Sequence, residues 1–291
     1  MTRRESGRRE SPRQRFNRLV AEAIADIEDN GFDSEARVQQ WMQTLGAAAE
    51  AAMVPEHVMR LTMRDYLERA YRRAMTPTAL RRTQPGVAEF TIERLKPTLR
   101  AELDRRIMAS ANLIKLNREA SKQRTLQRFS GWALSIPPGG TRAVNRRKEA
   151  DLVRRSIAGL PFEERRVIVD QGHKLTAAIN QIISEDGGAI AFVWHHVHEG
   201  PGYQVRPEHV AREGKIFVIR DNWAMKRGLM KLAGRQYYDE IDAAGEKIFC
   251  RCWTEGLYTL RDLPREMLTE RGRLVLTGAR RELRSAERVE A

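Results

Sequence analysis

GGAIAFVWHHVHEGPGYQVR, residues 187–206, marks the point at which the sequence changes from a helical to an alternating pattern. Because side chains alternate between the faces of a strand, residues 189–198 favour a strand, 199–202 a turn and 203–206 its paired strand. The sequence therefore predicts the α+β fold class, with short antiparallel strands in a small mixed module that follows a helical N-terminal half. Two further short strands are predicted at residues 215–219 (KIFVI) and 247–253 (KIFCRCW).

The N-terminal half is predicted to be helical because its apolar residues recur at helical spacing. The first helix begins with Ser11 as N-cap and Pro12 at the first helical position, and Asn30-Gly31 supplies a left-handed stop. A connection rich in Pro and Gly, residues 76–86, precedes a long helix. A second predicted helix is capped by Asp33 or Ser34 and runs through Met53, and a third contains Met59 and Ala74 and ends before Pro77. The long helix covers about 98–129. Two more helices are predicted after it, one over about 143–159 and one that begins at Pro161.

Composition divides the chain into four predicted segments. Residues 1–15 are expected to form a basic flexible arm, 16–135 a helical domain, 142–263 the mixed module and 264–291 a charged helical tail. No apolar run approaches the roughly 20 residues that span a bilayer, and the basic N-terminus is not followed by an apolar segment. We therefore expect neither a transmembrane helix nor a secretory signal. With only two cysteines the chain is not a disulfide scaffold, and a reducing cytoplasm is its expected site of folding.

The charge of the chain predicts a polyanionic partner. Its 291 residues include 52 Lys and Arg against 39 Asp and Glu, a formal net charge of +13. Such a surface attracts polyanions before any specific contact forms, so we expect double-stranded DNA to bind without sequence preference. The predicted DNA-binding residues lie in the N-terminal arm and at the start of the mixed module: Arg3, Arg4, Arg8, Arg9, Arg142, Arg146, Arg147 and Lys148.

Histidines and cysteines are the candidate metal ligands. Imidazole and thiolate are donors that zinc prefers, so His209, Cys250, Cys252 and either His196 or His198 can form a tetrahedral site. In the alternative interpretation the cysteines are structural, with one thiol of their strand in the core and the other outside. We favour the structural interpretation. The sequence therefore predicts no cofactor, with a structural zinc ion as the alternative.

A catalytic alternative rests on histidine and asparagine. His195, His196 and Asn222 loosely resemble the sites of metal-dependent DNA nucleases of His-Asn type, in which a histidine activates water and a metal binds the phosphate. The sequence contains neither a GxxxxGK[ST] phosphate-binding loop nor a GxSxG elbow. We therefore predict no catalytic residue and no enzyme. Four nearby carboxylates are interpreted as solvated charges or as helix and turn residues: Asp170, Glu185, Asp186 and Asp221.

An ordered set of short motifs spans the second half of the chain. VIVDQGHKLTAAIN (167–180) is followed by a Trp-bearing strand, an Arg-x-x-His segment that leads into glycine, and a closing Cys-Arg-Cys element. In this order the chain resembles the phage head morphogenesis family, the minor head proteins similar to phage Mu protein F, over about residues 145–255. The chain departs from the family at Asp170-Gln171-Gly172-His173, where Thr-Glu is usual. The residues that carry the resemblance are Trp194, Arg206, His209, Gly214, Cys250, Arg251 and Cys252.

The resemblance implies a structural role in a phage particle. A minor capsid protein of this family is expected at the portal vertex or the capsid interior, where it aids head assembly and DNA packaging or delivery. Its implied partners are the portal protein, the major capsid or scaffold protein and DNA, with no membrane. Residues 142–263 would be the head morphogenesis domain and 16–135 the portal- or capsid-binding domain. The expected location is the virion, and the host cytoplasm during assembly.

Overall fold

A small three-stranded antiparallel sheet follows a helical N-terminal half in the computed structural model of the protein, which is 66% helical. The α+β prediction is therefore confirmed. The structure describes residues 10–198, 200 and 203–289, and for residues 280–289 the backbone alone. Within these ranges, no helix is both long enough and apolar enough to cross a membrane.

The helices and strands have the following bounds. The helices are α1 Pro12–Asn30, α2 Glu35–Ala52, α3 Glu56–Ala74, α4 Pro77–Thr83, α5 Glu89–Ala133, α6 Arg146–Asp186, α7 Pro207–Val210, α8 Trp223–Lys226 and α9 Glu270–Val289. The strands are β1 Ala191–His195, β2 Ile216–Val218 and β3 Trp253–Leu257. Short 3₁₀ turns occupy Tyr238–Glu240, Leu260–Asp262 and Arg265–Met267.

The ends of α1 follow from local chemistry, as predicted. The Ser11 hydroxyl accepts the Gln14 N–H at 3.3 Å, and the Gln14 side chain accepts the Ser11 N–H at 2.9 Å. This reciprocal cap satisfies two donors at the helix start. Gly31 ends the helix with a φ of 74°, and a Cβ there would lie 2.0 Å from the Pro137 carbonyl oxygen. Only glycine tolerates both the backbone conformation and this close approach.

The helix boundaries differ from the predicted ones at the prolines. The predicted break at Pro161 is wrong, because α6 runs without interruption from Arg146 to Asp186 with Pro161 inside it. The predicted connection 76–86 contains α4, whose first residue is Pro77. The long helix α5 is longer than the predicted 98–129 and includes Pro97. Continuous burial of one helix face outweighs the single hydrogen bond that each internal proline removes.

The sheet has the strand order β2-β1-β3, with β1 in the centre. Phe192 of β1 lies opposite Phe217 of β2 and Gly256 of β3. Both hydrogen-bonding edges of β1 are therefore occupied, and residues 203–206 do not form the predicted partner strand. Residues 247–252 are not a strand either, since β3 begins only at Trp253.

The chain forms two compact units, each built from two segments. One combines the described part of Met1–Arg64 with Met108–Ile168, and the other combines Asp65–Ile107 with the described part of Val169–Ala291. This division does not follow the consecutive segments 16–135 and 142–263. The core of the first unit includes Phe16, Val20, Ile24, Ile27, Leu45, Phe129, Val153 and Ile157.

The sheet of the second unit is packed on both faces. Residues of β1 alternate between the two sides, as strand geometry requires. Ala191 and Val193 pack in one cluster with Leu257 and Met267. Phe192 and Trp194 belong to the opposite cluster, which also contains Phe217, Tyr238, Cys250 and Cys252. The cysteines therefore lie on the tryptophan face of the sheet.

Candidate metal centre

His209, Cys250 and Cys252 form a buried cluster on this face. Their ligand atoms all lie within 4.8 Å of one another. The imidazole Nδ1 is 3.5 Å from the Cys250 Sγ and 3.4 Å from the Cys252 Sγ. The three residues are 1%, 0% and 4% exposed. The structure thus brings together three residues of the predicted ligand set, His209 from a helix and the two cysteines from a loop. His209 and Cys250 are 41 residues apart in sequence.

The helix α7 places His209. Pro207 occupies its first position, where a missing N–H costs nothing, and Arg206 is its N-cap. The Arg206 guanidinium donates to the Ile248 carbonyl oxygen at 2.8 Å. This bond joins the start of α7 to the loop that contains both cysteines.

Asp170 of α6 shapes the cysteine loop. Its carboxylate accepts the backbone N–H of Phe249 at 2.6 Å, while Phe249 adopts a left-handed φ of 60°. This conformation turns the chain just before Cys250 and explains why the alternating pattern of residues 247–253 fails to produce a strand. Of the two alternatives predicted for Asp170, it is a helix residue of α6 and not a solvated charge, because it is buried. No sequence pattern marks this role, because it depends on a contact 79 residues away.

Both thiols lie inside the protein, so the prediction that one of them points outward is wrong. The hydrogen bond with Cys252, together with the backbone N–H groups of Cys252 and Gly245, lowers the pKa of the Cys250 thiol to about 5, although burial opposes this. The Gly245 N–H donates to the Cys250 Sγ at 3.4 Å. The same pairing and burial raise the pKa of Cys252. The cluster thus stabilises one thiolate, the form of cysteine that binds metals.

Aromatic and cationic groups enclose the imidazole. The Trp194 ring meets the His209 ring edge to face, with centroids 5.3 Å apart. The Arg212 guanidinium lies 5.0 Å from the centroid of the same tryptophan. On the other side of the imidazole, Nε2 is 3.4 Å from the Asp242 Oδ2. The two imidazole nitrogens therefore face different partners, thiols on one side and a carboxylate on the other.

The remaining motif residues surround this cluster. Gly214 has a φ of 67°, and its N–H donates to the Trp194 carbonyl oxygen at 2.9 Å. The Arg251 guanidinium lies 4.3 Å from the centroid of the Tyr203 ring, and the Arg251 N–H donates to the Tyr203 hydroxyl at 3.3 Å. All seven residues that carry the family resemblance thus contact the cluster or its immediate supports.

The other histidines have different partners. The His196 Nδ1 lies 2.6 Å from Glu213 Oε2, and the His195 Nδ1 lies 3.1 Å from Glu213 Oε1. His198 is exposed. Among the described residues, neither His196 nor His198 joins the group that can hold a metal. Asn222, named in the nuclease alternative, is the N-cap of α8 and accepts from the N–H groups of the next turn.

The predicted DNA-binding residues fall into three classes. Arg3, Arg4, Arg8 and Arg9 lie outside the described residues. Arg146 forms ion pairs with Glu28 and Asp29 and is thus part of the fold of its unit. The exposed residues Arg147 and Lys148 line an open depression on α6 together with Arg155. Arg142 is also exposed, just before this helix.

Comparisons with known proteins add no further assignment: no family model, no curated protein and no solved structure matches this chain. The resemblance to the phage head morphogenesis family therefore stays a prediction.

Proposed function

We propose that the protein is a phage minor head protein that acts at the portal vertex or the capsid interior, in head assembly and DNA packaging or delivery. The observation that carries this proposal is the convergence of the seven motif residues. They are spread over residues 194–252, yet they lie together in the second unit. His209, Cys250 and Cys252 form the buried cluster, Trp194 packs on it, and Arg206, Gly214 and Arg251 lie around it. Residues that matched the family motifs by chance would not be expected to lie close together in the fold.

Exposed apolar side chains support an assembly role for the helical half. Eight large apolar residues are exposed on the surface of this segment, where partner proteins can cover them. Leu61 is 58% exposed and Leu116 is 66% exposed. The proposed partner for this segment is the portal protein or the inner capsid. The others in the same segment are Val54, Val58, Phe90, Met108, Leu113 and Leu134.

The test is to purify DNA-filled heads of the phage that encodes this chain and to measure the chain in them by mass spectrometry. We expect it to be present in a few copies per head. The double variant Leu61→Glu, Leu116→Glu should enter heads less efficiently. The matched control is Leu274→Glu, since Leu274 is 67% exposed but lies on α9. Wild-type protein found only outside purified heads and procapsids would overturn the proposal.

We also propose that the metal centre binds structural zinc through His209, Cys250 and Cys252. Nitrogen and thiolate sulfur are the donors of structural zinc sites, and the three buried side chains supply three of the four ligands of a tetrahedral site. The ion would join α7 to the loop that precedes β3. In a module with a three-stranded sheet, such a link adds stability that the apolar contacts alone do not provide.

Metal analysis of protein purified without chelators tests the zinc proposal. We expect about one zinc ion per chain, lost on chelation together with part of the thermal stability. Cys252→Ser should abolish binding. His198→Ala is the matched control, because this exposed histidine was a predicted ligand that the structure leaves outside the cluster. Protein that takes up no zinc, even after dialysis against zinc salts, would contradict the proposal.

A further inference from the structure

The two ring nitrogens of His209 lie in different surroundings. Its Nδ1 faces both thiols, at 3.4 and 3.5 Å, and the side chain is 1% exposed. An imidazole that binds a metal through Nδ1 is neutral and keeps its proton on Nε2. Because water does not reach the ring, that proton needs an acceptor within the protein.

Asp242 is the carboxylate beside this nitrogen. Its Oδ2 is 3.4 Å from the His209 Nε2, which is buried and forms no hydrogen bond with any described residue, so Asp242 is the group within reach of its proton. The same oxygen is 3.1 Å from the Lys247 Nζ and 3.3 Å from the Arg212 Nη1. Arg212 also donates to the backbone carbonyl oxygen of Asp242 at 3.2 Å. Two cations thus fix the carboxylate in place beside the ring.

Lys247 and Arg212 both form ion pairs with the Asp242 carboxylate. An ionised carboxylate is a stronger acceptor than a neutral one. Arg212 links both sides of the imidazole, because its guanidinium also covers Trp194, whose ring packs against His209.

We propose that Asp242 is the positioning residue of the metal centre: its carboxylate accepts the Nε2–H of His209 and thereby holds Nδ1 toward Cys250 and Cys252. This inference rests on the proposed zinc site. Residues that orient metal-binding histidines in this way commonly change metal affinity by about 10- to 100-fold when they are removed. Among the described residues, Asp242 is not a member of the group that can hold a metal, so it acts only through His209.

Zinc affinity measured by competition with a chromophoric chelator tests the role of Asp242. Asp242→Ala should bind zinc about 10- to 100-fold more weakly than wild type. Asp242→Asn keeps an acceptor oxygen and should lose less. Glu208→Gln is the matched control, since Glu208 is a second carboxylate near Lys247, at 3.6 Å, whereas the ion pair with the His209 Nε2 is made by Asp242. This variant should keep wild-type affinity.

A second measurement separates positioning from general stability. In the zinc form, ¹⁵N NMR of wild type should show His209 protonated on Nε2, with slow exchange of that proton. Asp242→Asn should keep this tautomer, and Asp242→Ala should exchange the proton faster. Wild type that binds no zinc would refute the zinc site itself. Wild type and Asp242→Ala with equal zinc affinity and equal exchange would instead refute the role of Asp242 while leaving the zinc site intact.

Discussion

Asp170 is a buried carboxylate that organises backbone rather than binding solvent. It accepts the Phe249 N–H and lies 3.9 Å from the Lys174 Nζ. Phe249 adopts the left-handed conformation without being glycine, which costs conformational energy. The Asp170 hydrogen bond offsets this cost and holds the loop in the form that brings Cys250 to His209.

Replacement of Asp170 by Ala should destabilise the second unit by about 1–3 kcal/mol, because the partly buried Phe249 N–H loses its acceptor. Asp170→Asn retains an acceptor oxygen and should cost less. Urea unfolding at neutral pH measures the difference. Asp186→Ala, an exposed aspartate on the same helix, is the control and should change stability by less than about 0.5 kcal/mol. Equal effects of Asp170→Ala and Asp186→Ala would show that the Phe249 contact is unimportant.

The candidate site shows which residue roles can be predicted from sequence. His209, Cys250 and Cys252 could be named from sequence as candidate metal ligands, because their chemistry is a property of the residue type. Asp170 and Asp242 were not, since a carboxylate has no distinguishing pattern and their roles depend on contacts distant in sequence. The choice of His196 or His198 as a fourth ligand rested on residue type and on their place in the predicted strand. The structure instead directs His196 to Glu213.

Glu213 predicts a pH dependence of stability. Desolvation raises the pKa of this carboxyl, but the His196 N–H and the side chains of His195 and His196 outweigh it and lower the pKa overall. A carboxyl with a lowered folded pKa stabilises the protein above its unfolded pKa of about 4.3. This contribution is lost as the pH falls through the folded value.

Glu213→Gln should therefore lower the melting temperature near pH 6.5, and the gap to wild type should shrink below about pH 4. Thermal melts at a series of pH values provide the measurement. Glu255→Gln removes a single contact, with the His195 Nε2 at 3.4 Å, and should have the smaller effect. A gap that stays constant from pH 6.5 to 3.5 would rule out Glu213 as the titrating group.

At the scale of elements, local signals predicted helix ends better than helix interiors. Ser11, Pro12 and Gly31 act on neighbouring backbone groups, so their effect on α1 is readable from sequence. Pro161 is by the same local reasoning a signal that breaks a helix. It does not break α6, because buried contacts hold the helix on both sides of it. Residues 247–252 fail as a strand for the same reason, since Asp170 and the thiol cluster determine the backbone there.

The internal proline of α6 leads to a prediction for that helix. Pro161 has no N–H to donate to the carbonyl of Ile157, one turn earlier, and its ring crowds that carbonyl. Pro161→Ala should therefore stabilise the first unit by about 1–2 kcal/mol, after allowance for the greater freedom of the unfolded chain. Differential scanning calorimetry measures the change.

Pro77→Ala is the control for this substitution. Pro77 occupies the first position of α4, where proline is favoured and its missing N–H has no helical partner. We expect no stabilisation from Pro77→Ala. If Pro161→Ala is instead destabilising, then α6 depends on a bend at this position.

At the scale of the whole molecule, the basic residues that give the net charge of +13 have different roles. Arg146 forms ion pairs with Glu28 and Asp29, so it contributes to packing. Arg147, Lys148 and Arg155 extend into solvent along one open depression of α6. A run of basic residues in sequence therefore separates into a structural residue and a surface that can meet DNA.

This separation predicts how DNA binding responds to salt. Each phosphate contact releases counterions, and the slope of log K against log salt changes by about 0.9 per contact on duplex DNA. The triple variant Arg147→Gln, Lys148→Gln, Arg155→Gln should therefore reduce that slope by about 2 to 3 and weaken binding to unrelated duplexes equally. Fluorescence anisotropy with two duplexes of different sequence, across a salt series, gives both quantities.

The control for the DNA prediction must remove the same charge elsewhere. The triple variant Arg261→Gln, Arg271→Gln, Arg273→Gln does so at exposed arginines near and on α9. A contribution of net charge alone would weaken binding equally in both variants, since long-range attraction depends on total charge. Direct phosphate contact at α6 instead requires that only the first variant changes the slope. Equal slopes in the two variants would show that α6 is not the DNA surface, and a strong preference for one duplex would show that the protein reads bases as well as the backbone.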